Sequence, residues 1–224
     1  MDFGKSARPY LAELIGTFAL TFIGAGSIAS GQNNLVGIAL AHGLAIMTMI
    51  YAMGHISGVH INPAVTISLL AGGKIKPADA VGYIISQLIG ATLAGFALLV
   101  IYPDPAKAAF LGTPTLGANV SVLTAIFAEA VMTFFLVLAV WGSGVDARTS
   151  GPAVGMAIGM VVTMDILMGG PLTGAAMNPA RALGPALASG HLNDWYVYWI
   201  GPVIGALAAG ILYNNLFLKF KAAP

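Results

Sequence analysis

Six predominantly apolar segments, each long enough to cross a lipid bilayer, constrain this chain more than any other feature. They cover residues 8–29, 35–54, 79–101, 121–143, 151–169 and 195–218. A bilayer core of about 30 Å requires about 20 apolar residues in a helix, and only helices and closed barrels satisfy every backbone polar group inside it. The sequence therefore predicts an all-α membrane protein with six transmembrane helices.

The composition supports a membrane location and excludes several classes of function. Charged residues make up 8% of the 224 residues, against about 25% in a typical soluble domain. The net charge of +1 gives no electrostatic basis for binding nucleic acid. The chain contains no cysteine, and no nucleophile–base pair or metal-ligand cluster stands out. We therefore expect no enzymatic activity, no cofactor, no metal and no nucleic acid partner.

Two further apolar stretches, residues 62–72 and 178–189, are too short to span a membrane. At about 1.5 Å per residue, each reaches about half of the bilayer core. Each begins with Asn-Pro-Ala, in which asparagine suits the N-cap of a helix and proline suits its first position. The two motifs are Asn62-Pro63-Ala64 and Asn178-Pro179-Ala180. The sequence therefore predicts two re-entrant half-helices.

A constant shift of 116 residues relates the two halves of the chain. It places Glu129 on Glu13 and the second Asn-Pro-Ala motif on the first. Each half contains three spans, an odd number, so the second half must enter the membrane upside down relative to the first. The sequence therefore predicts an inverted 3+3 repeat. We expect one domain, 1–224, with its two repeats at roughly 8–101 and 121–218.

The inverted repeat brings the two half-helices together near the middle of the membrane, asparagine to asparagine. The amide N–H groups of the asparagines would face a pore as donors. Two helix N-termini add partial positive charge, which disfavours cations and proton relay along a file of waters. The backbone before each motif would be tolerated at this depth only beside a water-filled path. We expect its carbonyls to line that path at Gly58, Val59, His60, Gly174 and Ala176.

Basic residues in the loops predict the orientation of the chain. One side of the six-span arrangement carries Lys5, Arg8, Lys74, Lys76, Arg148, Lys219 and Lys221. The opposite side carries Lys107, with Arg181 set aside because it follows the second motif. The positive-inside rule then places both termini in the cytoplasm. The bare termini and the absence of a targeting signal favour a prokaryotic plasma membrane.

Several motifs together closely resemble the aquaporin, or major intrinsic protein, family over nearly the whole chain. They are "HISGVHINPAVT", "GAAMNPAR", the paired Glu13 and Glu129 segments and "YWIGP". The resemblance implies six tilted helices with two half-helices, a pore in every monomer and a homotetramer.

The resemblance also implies a constriction near the outer mouth, made by one residue of the second span, one of the fifth and two around the second motif. The matching positions are His42, Ile166, Ala175 and Arg181. Arg181 would supply a fixed positive charge and several donors. Histidine on the second span and isoleucine on the fifth are similar to plant tonoplast aquaporins, many of which also pass ammonia or urea. We therefore expect a passive channel for water and for ammonia or other small neutral solutes, surrounded by lipid, that excludes protons and ions.

Three other functions compete with this interpretation. Glycerol or urea facilitators resemble the chain in both halves, but they usually carry charged residues where this chain has Ala182 and Ala186. A secondary transporter would also use inverted repeats and broken helices, with Glu13 and Glu129 as coupling carboxylates. A structural or junctional membrane protein would retain only a degenerate pore.

Three acidic residues inside the spans have alternative interpretations. Glu13 and Glu129 are expected to accept backbone N–H groups of the nearby re-entrant loops and to support their shape. Asp165 precedes Ile166 and has no acidic counterpart in the first half. It would either anchor the loop at 169–177 or tune the outer mouth electrostatically.

Overall fold

The computed structural model describes residues 3–31 and 34–219, with side chains from residue 7 onward. The described residues form helices and no strand. In chain order the helices are α1 (Phe3–Ala29), α2 (Leu35–Ser57), α3 (Pro63–Ala71), α4 (Pro77–Ile101), α5 (Ala109–Gly112), α6 (Val122–Ala139), α7 (Val154–Thr173), α8 (Pro179–Ser189) and α9 (Val197–Leu212). Wider π-helical turns at Val140–Val145 and Tyr213–Phe217 extend α6 and α9. Lys221 and the side chain of Lys5, two of the residues that predict the orientation, lie outside the described part.

Six helices within the described residues are long and apolar enough to cross a membrane. They are Ala7–Ala29, Leu35–Ser57, Pro77–Ile101, Val122–Val145, Val154–Thr173 and Val197–Phe217. Between them lie the short helices α3 and α8, of 9 and 11 residues, each with asparagine at the N-cap and proline in the first turn. The predicted fold class, with six spanning helices and two half-helices in an inverted repeat, is confirmed.

Two of the spanning helices continue further than the sequence predicts. α2 reaches Ser57, and α7 reaches Thr173 in spite of Pro171. Both then end at a glycine in the left-handed region, Gly58 with φ of 82° and Gly174 with φ of 81°. Glycine adopts this conformation without a steric penalty. The chain therefore leaves both helices by the same turn and enters the membrane centre as a non-helical segment.

The helices pack in pairs that follow the repeat. α1 packs on α2 and α4, and their counterparts α6, α7 and α9 pack in the same way. α2 and α7 form the seam between the halves, and each half-helix packs on the last span of the other half, α8 on α4 and α3 on α9. The two halves of the chain therefore pack into each other, and each half-helix depends on contacts with the other half.

Close crossings between the halves depend on glycine. A Cβ atom on Gly159 would lie 2.5 Å from the carbonyl oxygen of Gly43, across the α2–α7 seam. A Cβ atom on Gly95 would lie equally close, at 2.5 Å, to the carbonyl oxygen of Gly184, where α4 meets α8. Small residues let helix backbones touch in this way. Adding a methyl group at either seam would therefore force the halves apart.

Polar and apolar residues are distributed as a lipid environment requires. Large apolar side chains such as Val100, Leu123 and Phe127 are exposed on the outside of the bundle. The charged side chains of Glu13, Glu129 and Arg181 are buried inside it. Ionisable groups within a membrane are expected to face the interior of the bundle and to mark its functional path.

Candidate functional site

The capping asparagines join the N-termini of α3 and α8 at the centre of the molecule. Oδ1 of Asn62 accepts a hydrogen bond from the backbone N–H of Ala64 at 2.9 Å. Oδ1 of Asn178 accepts from Ala180 at 3.1 Å and from Arg181 at 3.2 Å. Each side-chain oxygen therefore satisfies the free N–H groups of its own helix, as the sequence predicts.

The asparagine amides also cross-link the two halves, which the sequence analysis did not predict. Nδ2 of Asn62 donates to the carbonyl oxygen of Met177 at 2.8 Å, and Nδ2 of Asn178 donates to that of Ile61 at 2.8 Å. The sequence predicts that the amide N–H groups face a pore as donors. An amide has two N–H groups, so one from each asparagine remains for a solute. The residue before each motif is the acceptor in both halves.

The segments before the two motifs share an unusual backbone. Val59 and Ile61 have φ of 49° and 41°, and Ala175 and Met177 have φ of 47° and 50°. Non-glycine residues rarely adopt positive φ, and such strain persists only where surrounding contacts over-determine it. Hydrogen bonds from these segments to Glu13 and Glu129 hold them in place.

Glu13 holds the first segment with four hydrogen bonds. Its Oε1 accepts from the Ser57 hydroxyl at 2.7 Å and from the backbone N–H of His60 at 2.9 Å. Its Oε2 accepts from the backbone N–H of Ile61 at 2.6 Å and from Nε2 of Gln87 at 2.7 Å. A carboxylate has acceptor sites only, so all four contacts suit it.

Glu129 holds the second segment in the same way with three donors. Its Oε1 accepts from the Thr173 hydroxyl at 2.7 Å and from the backbone N–H of Ala176 at 2.9 Å. Its Oε2 accepts from the backbone N–H of Met177 at 2.7 Å. Both glutamates therefore contact the loops they are expected to support.

Three cavities near the centre of the molecule are related by the residues that border them. The largest, of about 400 Å³, is bordered by Gly58, Val59 and His60 and reaches Asn62 and Asn178. The next, of about 20 Å³, is also bordered by both asparagines. A third, of about 330 Å³, shares Ile166 with the small one. Among the predicted carbonyl positions, Ala176 borders the small cavity and Gly174 the third.

The small cavity is bordered by all four residues of the expected constriction: His42, Ile166, Ala175 and Arg181. His42 and Arg181 are in direct contact, with Nε2 of the histidine 3.3 Å from Nε and 3.1 Å from Nη2 of the arginine. A guanidinium can only donate, so Nε2 must be the unprotonated nitrogen. Nδ1 then carries the proton and donates to the carbonyl oxygen of Ile38 at 2.8 Å.

Arg181 is 2% exposed and takes a further partner from α5, which is a single left-handed turn between α4 and α6. Its Nη1 donates to the carbonyl oxygen of Gly112 at 2.9 Å. Ala109, Phe110 and Leu111 precede this glycine, and all four residues have positive φ. The bonds to His42 and Gly112 use three of the five N–H groups of Arg181. Among the described residues, the other two have no protein acceptor.

Among the described residues, no hydrogen bond joins Asp165 to the loop at 169–177, and the backbone N–H groups of Ala176 and Met177 donate to Glu129 instead. The Asp165 side chain is 3% exposed, and its Oδ2 has no hydrogen-bond partner among the described residues. Within residues 3–31 and 34–219, no three histidine or acidic side chains come together as metal ligands.

Several residues of the site were not predicted from the sequence. Ser57 and Thr173 stand in the same relation to each other as Glu13 and Glu129, so the shift of 116 could have identified them. The carbonyls of Ile61 and Met177 follow the same shift. No pattern in the sequence indicates that the Gly112 carbonyl contacts Arg181.

Comparisons with known proteins extend over almost the whole chain. Residues 2–213 match the family described as major intrinsic protein. Aquaporin TIP4-4 of Zea mays is 43% identical over 224 aligned residues, which cover 94% of this chain and 87% of that protein. Aquaporin NIP1-1 of Zea mays is 39% identical over 219 residues, covering 96% of this chain and 76% of that protein. The X-ray structure of the aquaglyceroporin from Plasmodium falciparum has a TM-score of 0.82 at 24% identity and covers 94% of this chain and 96% of that one.

The comparisons support some predictions and leave others unsupported. The structural likeness, at this identity, shows the fold alone. The two relatives come from a plant and give no support to the expected prokaryotic membrane. Members of the matched family are membrane channels for water or small solutes and not enzymes, so the predictions of an integral membrane protein and of no enzymatic activity are confirmed. The chain belongs to the major intrinsic protein family.

Proposed function

We propose that the protein is a passive channel for water that also passes ammonia and excludes protons and ions. The observation that carries this proposal is that both capping asparagines border two neighbouring cavities, of about 400 and 20 Å³. Non-helical backbone at membrane depth is tolerated where it borders such a water-filled path.

The size of the narrowest cavity supports water and ammonia as the permeating solutes. A volume of about 20 Å³ is of the size that holds about one water molecule. Glycerol carries six heavy atoms and would require the site to widen. The filter is formed by His42, Ile166, Ala175 and Arg181, and the two free N–H groups of Arg181 orient a solute there.

The asparagine pair supports exclusion of protons. Asn62-Pro63-Ala64 and Asn178-Pro179-Ala180 bring two helix N-termini to one point, and each asparagine keeps one N–H group for the water between them. That water accepts from both asparagines and turns its own hydrogens away from the centre, which interrupts a proton wire. The partial positive charges of α3 and α8 add a barrier to cations.

The supporting residues fix this arrangement. Glu13 and Glu129 hold the re-entrant segments, whose carbonyls at Gly58, Val59, His60, Gly174 and Ala176 border the path. Coupled transport would need free carboxylates, whereas each of these two already accepts three or more hydrogen bonds. This favours a channel over a secondary transporter.

We further infer that residues 1–224 form one domain with its own pore, that both termini face the cytoplasm, and that four copies assemble into a homotetramer. The basic loops support the orientation, and membership of the family supports the assembly. Cross-linking in membranes would give a ladder ending at four subunits.

Stopped-flow light scattering on proteoliposomes tests the proposed function. Sucrose reports water flow, urea and glycerol report larger solutes, and an internal pH dye reports ammonia. We expect fast water and ammonia flow and slow glycerol flow, with His42→Phe reducing the ammonia flow. Water flow no faster than in protein-free liposomes would contradict the proposal, and glycerol flow as fast as water flow would contradict the assignment of solutes.

A further inference from the structure

Residue 24 of α1 is a glycine, and the ring of His42 on α2 packs against it. A Cβ atom built on Gly24 would lie 2.5 Å from Nε2 and 2.9 Å from Cγ of His42. Carbon atoms in ordinary contact are about 3.5–4.0 Å apart. The imidazole therefore lies directly against the backbone of α1, in space that any other residue at position 24 would occupy.

The ring of His42 is also held on its other sides. Nδ1 is bonded to Ile38 O at 2.8 Å, and Nε2 contacts Arg181 at 3.1 and 3.3 Å. The Nε2 atom that a Cβ on Gly24 would approach is thus the atom that accepts from Arg181. A group entering from α1 would push this edge of the ring away from the helix and disturb its bonds to the arginine.

We propose that Gly24 is a positioning residue of the filter. It sets how far the ring of His42 lies from the permeation path and thereby how fast water and ammonia pass. This inference rests on the proposed function, because it requires His42 and Arg181 to border the permeation path. Gly24 itself does not border the small cavity. It acts through the ring that lies on it.

The expected effect follows from the distances. To reach ordinary contact with a new methyl group, the ring must move by about 1 Å. The cavity beside it has a volume of about 20 Å³, close to the smallest volume that holds one water molecule. A displacement of this size should therefore lower both water and ammonia flow severalfold in Gly24→Ala.

Gly26→Ala is a matched control on the same helix. It makes the same chemical change, but the nearest atom to the added Cβ is Cδ2 of Leu98 at 3.1 Å. That atom is the flexible end of a side chain in a separate apolar cluster with Ala25 and Leu111. We expect Gly26→Ala to conduct water and ammonia nearly as well as the wild type.

The test measures water and ammonia flow in proteoliposomes with equal protein content for the wild type, Gly24→Ala and Gly26→Ala. The same Gly24→Ala change is then made in a His42→Ala background, where no ring is present to be displaced. We expect a severalfold loss in the wild-type background and no further loss in the His42→Ala background. Equal flow through Gly24→Ala and Gly26→Ala, or an equal loss in both backgrounds, would overturn the inference.

Folding of each variant is followed by gel filtration and thermal unfolding in detergent. If Gly24→Ala does not fold, recovery of folding by Gly24→Ala with His42→Ala supports the contact, and failure of both overturns it. A wild type that conducts no faster than bare lipid would instead mark failure of the proposed function. The two failures are therefore distinguishable.

Discussion

Replacing Glu129 with glutamine tests how the second re-entrant segment is held. The wild-type carboxylate accepts two donors at Oε1 and the backbone N–H of Met177 at Oε2. A glutamine oxygen at the Oε1 position would keep two of these bonds. Its NH₂ group would then face the N–H of Met177, which loses its acceptor. One hydrogen bond to a charged group contributes about 1.5–3 kcal/mol. We therefore expect Glu129→Gln to lower the free energy of unfolding by about that amount, or roughly 10- to 150-fold in the equilibrium constant.

The loss should also reduce water flow, because the carbonyl of Met177 accepts the amide of Asn62 at 2.8 Å. Denaturant unfolding in mixed micelles, followed by tryptophan fluorescence, gives the free energy, and proteoliposomes give the flow. Thr133→Val is the control, because Thr133 lies one turn from Glu129 and its buried hydroxyl has no partner among the described residues. If Glu129→Gln were no less stable than Thr133→Val, the carboxylate would not hold the segment as described.

Three further changes test separate contacts. Gln87→Leu removes the fourth donor of Glu13, a loss of about 1.5–3 kcal/mol of unfolding free energy. It also removes a buried Oε1 that has no partner among the described residues, which offsets part of that loss. The net unfolding free energy, measured in the same micelles, should still fall, and a rise would mean that this donor is dispensable. Asp165→Leu removes a buried carboxyl group without a partner among the described residues. The free energy of unfolding should therefore rise by up to about 1–3 kcal/mol. A fall in this free energy would show that Asp165 has a stabilising role. In the loop after α6, hydrogen bonds from Arg148 lower the pKa of Asp146. The stabilising effect of the Asp146 carboxylate is therefore present above the ordinary carboxyl pKa, and it is lost as the pH falls through the lowered pKa of Asp146. The melting temperature of Asp146→Asn should lie below that of the wild type by the same amount from pH 5 to 8. This difference in melting temperature should disappear in strong acid. A difference that changes between pH 5 and 8 would contradict the lowered pKa of Asp146.

The sequence is sufficient to predict the spans, the half-helices and their inversion, because bilayer thickness and backbone hydrogen bonding leave few alternatives. The shift of 116 residues also relates Ser57 to Thr173 and Ile61 to Met177, so most contacts of the re-entrant segments were accessible to the same reasoning.

The shift of 116 residues does not align the last spans of the two halves, α4 and α9. The hydroxyl of Tyr83 donates to the carbonyl of Ser57, and that of Tyr198 donates to the carbonyl of Thr173. These tyrosines are 115 residues apart, not 116. The same spacing places Pro202 opposite Gln87. Proline has no side-chain donor, which accounts for the fourth hydrogen bond of Glu13 and its absence from Glu129.

Two kinds of contact could not be predicted from the sequence: those made by the backbone of connecting segments, and those that a glycine permits because it has no side chain. The Gly112 carbonyl reaches Arg181 through a run of left-handed residues that no local pattern indicates. The ring of His42 seats on Gly24 because two helices cross at that point, and only the packed structure reveals the crossing. Whether Asp165 has a hydrogen-bond partner likewise depends on what surrounds it in three dimensions, and among the described residues its Oδ2 has none.

The most direct test of the central claim measures water and proton flow in the same proteoliposomes. Osmotic shrinkage gives the water permeability and its activation energy, and an internal pH dye under an imposed pH gradient gives the proton permeability. The proposed function predicts fast water flow with a low activation energy and proton flow no greater than through bare lipid. Fast proton flow that rises together with water flow would contradict the role given to the asparagine pair and the two half-helices.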